Sequence, residues 1–104
     1  MKPVFEPSAQ EFLDSQRAEG DFQTIFNHLL DEANRLADEP EIDGETKFAF
    51  DVPFRPRTAY RIYWGRPVIG RRFWYLYEAD AEHDELRIFN IGHAGLEKPF
   101  LSRR

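Results

Sequence analysis

Six arginines and no acidic residue lie between Arg55 and Arg72, with Tyr60, Tyr63 and Trp64 interleaved among them. Such a field can attract phosphate, because clustered positive charge raises the local concentration of anions, provided that the acidic part of the chain faces elsewhere. The plainer alternative is that these arginines pair with acids upstream and form a solvated face, where ion pairs contribute little. Three histidines, His28, His83 and His93, are able to exchange a proton near neutral pH. His28 falls on the flank of an apolar helical stripe and His83 in a charged loop, so packing and solvation account for both, and nothing in the spacing of the three suggests a metal. The absence of cysteine excludes a disulfide framework, a thiol nucleophile and cysteine-ligated zinc. No Walker-type loop, Gly-rich dinucleotide fingerprint or H-E-x-x-H pair is present. Ser8, Ser15 and Ser102 have no evident histidine partner, and the paired acids Asp31-Glu32 and Asp38-Glu39 read as the wet side and the end of a helix.

The elements that must position these groups are three consecutive strands. Arg57–Trp64, Arg71–Ala79 and Leu86–Ile91 are rich in Tyr, Phe, Trp and Ile. The break at residues 65–70 is bounded by glycines and carries Pro67, which cannot donate to a ladder. The break at residues 80–85 is polar, as a solvent-exposed hairpin loop would be. In the first strand Thr58, Tyr60, Ile62 and Trp64 are expected to face the covering helices. In the second, Phe73, Tyr75, Tyr77 and Ala79 oppose Arg72, Trp74, Leu76 and Glu78; both sets are partly apolar, so the strand is central and alternation leaves its orientation open. In the third, Leu86, Ile88 and Asn90 oppose Arg87, Phe89 and Ile91.

Upstream, Lys2–Glu6 reads as a short edge strand whose length Pro3 and Pro7 limit. Ser8 and Glu11 have the spacing of a capping box, opening a helix over roughly Ala9–Arg17 that Gly20 breaks. Asp21 can cap a second helix whose apolar residues Phe22, Ile25, Phe26, Leu29, Leu30, Ala33, Leu36 and Ala37 recur at three- and four-residue steps. That helix ends near Pro40, because the residue before proline resists helical geometry. Glu41–Thr46 is an acidic connector with a turn at Asp43-Gly44, and Lys47–Val52 reads as an edge strand or irregular crossing before Pro53 and Pro56. Beyond Gly92-His93 the residues 96–104 form a tail in which Pro99, Phe100 and Leu101 can dock.

One hundred and four residues make one domain, with enough chain for a single core. The formal charge is −5 and unevenly placed: residues 1–46 hold three basic residues against twelve acids, net −9, and residues 47–104 eleven against seven, net +4. An acidic mean charge disfavours nonspecific nucleic-acid binding, which relies on phosphate neutralisation. No run reaches the length of a membrane span and the first residues lack a signal-peptide apolar region, so a cytoplasmic protein without a membrane partner is expected.

In order, these elements are a short strand, two helices and an antiparallel sheet ending in an apolar strand with Gly-His. The chain resembles the RelE/ParE superfamily of bacterial toxin–antitoxin toxins over nearly its whole length. The resemblance is carried by Val4–Leu13 (VFEPSAQEFL), Phe73–Asp80 (FWYLYEAD) and Leu86–His93 (LRIFNIGH). In that family the central strand tends to read aromatic-Arg-x-x-Tyr-x-x-Asp, and Phe73, Tyr77 and Asp80 take three of those places. The last strand commonly ends in isoleucine, a spacer and histidine, as Ile91, Gly92 and His93 do. The sequence departs from the pattern at Trp74, where the family often has arginine, and at Ala94, Gly95 and Phe100, where arginine and a late tyrosine are common. These departures bear on catalysis rather than on fold.

The resemblance implies an α+β fold, two N-terminal helices on a twisted, mainly antiparallel sheet, and a toxin neutralised by a cognate antitoxin. An RNA-cleaving member, acting on ribosome-bound mRNA, activates a ribose 2′-hydroxyl against the adjacent phosphate. That reaction needs a phosphate clamp, a proton acceptor and a donor to the leaving oxygen. Arg61 and Arg72 suit the clamp with His93 as the proton-exchanging group, while Arg57, Arg66 and Arg71 extend the charge and Tyr63 or Tyr75 stacks a base. A ParE-like member would act on DNA gyrase without being a nuclease. The alternative is a non-catalytic member that binds a partner through an edge strand such as Lys47–Val52 or through the tail Pro99–Leu101. No cofactor is implied by any of these readings.

Overall fold

The computed structural model describes residues 1–18, 22–50 and 60–93. The expected Gly20 break, the Asp21 cap, the Pro53–Pro56 crossing, Thr58 and the tail beyond His93 lie outside the described residues. The elements run β1 (Lys2–Phe5), α1 (Pro7–Ser15), a 3₁₀ turn (Gln16–Ala18), α2 (Phe22–Asp38), β2 (Lys47–Phe50), β3 (Tyr60–Trp64), β4 (Phe73–Asp80) and β5 (Glu85–His93).

Helix α1 opens two residues earlier than the expected capping box. Pro7 sits in its first turn and Glu6 is the N-cap, with no side-chain cap bond. Proline is favoured there because its fixed φ is already helical and its missing N–H would have had no partner, so Ser8 is drawn inside the helix. Ala9 and Leu13 are the buried residues of this helix. In α2 the buried residues are Ile25, Leu29, Glu32, Ala33, Leu36 and Ala37. Of the predicted stripe, Phe22, Phe26 and Leu30 are half-buried and the rest buried, while Glu32, expected on the wet side, is inside.

The sheet has the order β1-β5-β4-β3-β2. Strand β1 runs parallel to β5, and the other neighbours are antiparallel. The parallel pair follows from the intervening helices, which carry the chain over one face before it returns. Among the described residues a cluster lies between sheet and helices, built from Ala9, Leu13, Ile25, Leu29, Leu36, Tyr63, Phe73, Tyr75, Tyr77, Leu86, Ile88 and Ile91 among others. The orientation of β4 is thereby decided: Phe73, Tyr75 and Tyr77 face the helices and are fully buried.

Strand β3 is turned the other way from expectation. Tyr63 joins the helix-side cluster, while Ile62 and Trp64, also buried, stand on the opposite face. The reason is chemical: the Tyr63 hydroxyl donates to Glu32 and Arg61 donates to the Pro40 carbonyl, so the helix side of β3 is the side with polar partners. Strand β5 keeps neither of its two expected faces. Leu76 opposes Asn90 but Tyr77 opposes Ile88, which leaves Phe89 as the extra residue of a bulge. The bulge shifts the alternation by one, so Leu86, Ile88 and Ile91 are all buried on the helix side.

Candidate functional site

Glu32 is the polar centre of the region where the expected site residues lie. It projects from α2 into the core, is fully buried, and is met by groups from the end of β3. The Tyr63 hydroxyl donates to Oε1 at 2.8 Å and the Arg66 amide to the same oxygen at 2.9 Å. Arg66 Nε donates to Oε2 at 2.8 Å and its Nη2 lies 2.6 Å from that atom. Arg35, one turn along α2, stands at 3.8 Å. Burial alone would raise the Glu32 carboxyl, but the Arg66 amide and guanidinium and the Tyr63 hydroxyl together hold it below the ordinary carboxylate value. Burial, with the Glu32 carboxylate second, raises the Tyr63 phenol, and Glu32 raises the Arg66 guanidinium. The close approach depends on Gly65: a Cβ there would stand 2.9 Å from Tyr75 Cε1 and 3.1 Å from Glu32 Oε1.

Of the expected nucleic-acid residues, Tyr63 and Tyr75 are buried and the half-exposed Arg66 is engaged within the protein. Arg66 is clamped on Glu32, and His28 Nε2 lies 3.0 Å from the Arg66 carbonyl oxygen. Tyr63 is buried and its ring leans on that of Tyr75 at 5.4 Å between centroids, so neither presents a face to a base. The Tyr75 hydroxyl has no hydrogen-bond partner among the described residues, and burial raises it well above the ordinary phenol value. Arg71 flanks the turn between β3 and β4, where its backbone exchanges hydrogen bonds with Val68. Arg57 lies outside the described residues.

Arg61, Arg72 and His93 do not meet. Arg61 Nη1 donates to the Pro40 carbonyl at 3.3 Å, an acceptor shared with the Tyr77 hydroxyl. His93 ends β5 on the helix side, opposite Phe73, with its ring edge-on to Phe73 at 5.3 Å and to Phe12 at 5.9 Å. Arg61 is in register with Tyr77, four residues along β4 from Phe73, and two strands away from β5. At standard spacings that is about 13 Å along the sheet and about 10 Å across it. Arg72 serves the opposite face: its Nε donates to the Gly65 carbonyl at 2.6 Å and its guanidinium lies 5.0 Å from the Trp64 ring centroid.

On that opposite face the charge of another arginine is answered within the protein. Arg87 is paired with Asp80 and Glu85, and Asp80 also binds His83 through the ring and the backbone N–H, so His83 is more than a solvated loop residue. Among the described residues no group of three His, Asp or Glu side chains could hold a metal, and no helix is long and apolar enough to cross a membrane. Sequence reasoning missed Glu32, although a signal was present. Three residues after Leu29 and four before Leu36, it occupies a place on the buried stripe.

Two solved structures share this fold. The isolated E. coli RelE toxin superposes with a TM-score of 0.56 at 16% identity, over 97% of this chain and 92% of that one. The intact E. coli RelBE toxin–antitoxin complex gives 0.52 at 15% identity, over 93% of this chain and 98% of the matched chain. The arrangement of N-terminal helices on a mixed sheet is thus RelE/ParE-like. No family model matches the chain, and no curated protein matches it.

Proposed function

We propose that this chain is the toxin-fold half of a toxin–antitoxin pair and that it works by holding proteins rather than by cutting RNA. The pairing is supported by the likeness to RelE, which the second solved structure contains in complex with its antitoxin. The observation that carries the mechanism is the clamping of Arg66 on Glu32, together with the wide separation of Arg61, Arg72 and His93. A cleaving site needs clamp and proton carrier within hydrogen-bond reach of one phosphate, and reach of that kind is about 3 Å. An antitoxin segment would add beside β2 (Lys47–Phe50), the last strand of the sheet among the described residues. The cellular target of such a toxin would then be a protein, as for a gyrase-directed relative.

The test is to express the chain with and without the small reading frame beside it, and to compare Arg61→Ala/Arg72→Ala/His93→Ala with the parent. The triple variant is expected to co-purify with the neighbour and to arrest growth as the parent does, with no cut transcripts in either case. Cleavage of mRNA by the parent that the triple variant loses would establish the RNase reading in place of this one.

A further inference from the structure

Among the described residues two large hydrophobics are strongly exposed, Ile42 at 42% and Ile69 at 52%. Their surroundings are opposite in sign. Ile42 lies in the connector from α2 to β2, within a stretch holding Glu39, Glu41, Asp43 and Glu45 and no basic residue. Lys47 answers Asp43 at 3.5 Å from beyond that stretch. Ile69 lies at the tip of the β3–β4 turn, within residues 65–72, which hold three arginines and no acid.

Ile69 also occupies a backbone conformation that its side chain disfavours. Val68 and Arg71 exchange N–H···O bonds of 2.8 and 2.9 Å, closing a two-residue turn in which Ile69 has φ 48° and Gly70 φ 70°. Turns with two left-handed residues favour Asn-Gly or Gly-Gly, and a β-branched residue at positive φ is an outlier. Strain of this kind persists where the surroundings impose it and tends to gather at functional positions. Here Arg66 is fixed on Glu32, Arg72 on the Gly65 carbonyl, and Val68 packs on the core, so the turn is a rigid mount that holds Ile69 outward.

We propose that the Ile69 turn of one copy docks on the acidic Ile42 connector of a second copy. The apolar side chains supply the contact, and the basic turn on one side, where Glu32 already answers Arg66, and the carboxylates of the connector on the other supply orientation. Each copy carries both halves. The contact does not depend on the protein-holding role proposed above and can fail without it. It belongs to the small, transient class of interfaces, below roughly 1,200 Å².

Sedimentation equilibrium of the chain alone, from dilute to concentrated solution, tests it. The average mass is expected to rise with concentration, less so as salt is added. Ile69→Asn suits the turn and is expected to raise Tm by about 4 °C, yet to weaken self-association about tenfold. Ile42→Ser is expected to weaken association similarly without the gain in Tm. Each variant retains the half that the other lacks, so labelled Ile69→Asn should bind Ile42→Ser more tightly than it binds itself. A chain that stays monomeric throughout overturns the proposal, as does a mixture that associates no better than either variant alone. An Ile69→Asn protein that self-associates like the parent overturns it equally.

Discussion

Glu32 shows what one buried charge does in a small domain. Its carboxylate is fully enclosed and accepts from Tyr63, from the Arg66 amide and from the Arg66 guanidinium. Removing the charge leaves Arg66 half-exposed and without its partner, and the exposure of that guanidinium limits the loss. Glu32→Gln, which can still accept from Tyr63, is expected to lose about 1–2 kcal/mol, read as a fall in Tm of roughly 4–15 °C. Because the folded carboxyl is held below its unfolded value, its contribution is fully present above the ordinary carboxylate range and fades as pH falls through the folded pKa. Asp43, held down chiefly by the Thr46 hydroxyl, and Asp80, held down chiefly by His83, fade in the same direction. The difference between parent and Glu32→Gln isolates the Glu32 part. It should be constant near neutrality and shrink below about pH 4.5, as followed by thermal melts across pH. A difference that grows in acid would reverse the sign of the assigned shift.

The bulge in β5 shows at the scale of an element how packing overrides alternation. Read with period two, residues 86–91 divide into Leu86, Ile88 and Asn90 against Arg87, Phe89 and Ile91, which would put Ile91 on the side away from the core. Setting Phe89 aside restores one apolar face of Leu86, Ile88 and Ile91. Deletion of Phe89 is therefore expected to close the bulge and keep a cooperative unfolding transition. Deletion of Arg87 should turn Leu86 out of the core, at a cost of about 2–5 kcal/mol. Chemical denaturation of the two deletions decides the matter, and equal losses would mean that the bulge does not set the face. The same competition reversed β3, where the bonds of Tyr63 to Glu32 and of Arg61 to Pro40 outweighed the expected inward packing of Ile62 and Trp64.

At the scale of the molecule, an acidic helical layer lies against one face of the sheet, and the described arginines after Lys47 are distributed to several places. Arg66 is drawn to the helix side, Arg72 to the opposite face, and Arg87 to the acids of the β4–β5 turn. A net charge of −5 and this division of the described cations both disfavour phosphate neutralisation. Binding of the protein to single-stranded RNA is expected to be weaker than about 100 µM at physiological salt. Fluorescence anisotropy measures it, and tight, steeply salt-dependent binding would contradict the dispersal. The element order, the amphipathic face of α2 and the aromatic strand Phe73–Asp80 were legible in the sequence, because they rest on local periodicity and on residue types suited to a half-buried pleat. The sidedness of β3, the bulge and the fate of the arginines were not, because each depends on a partner distant along the chain: Glu32 for Tyr63 and Arg66, Pro40 for Arg61, Gly65 and Trp64 for Arg72. A sequence states that six arginines are close along the chain, but alternating side chains and a turn send neighbours to opposite faces, and only the fold decides which carboxylate or carbonyl each one meets.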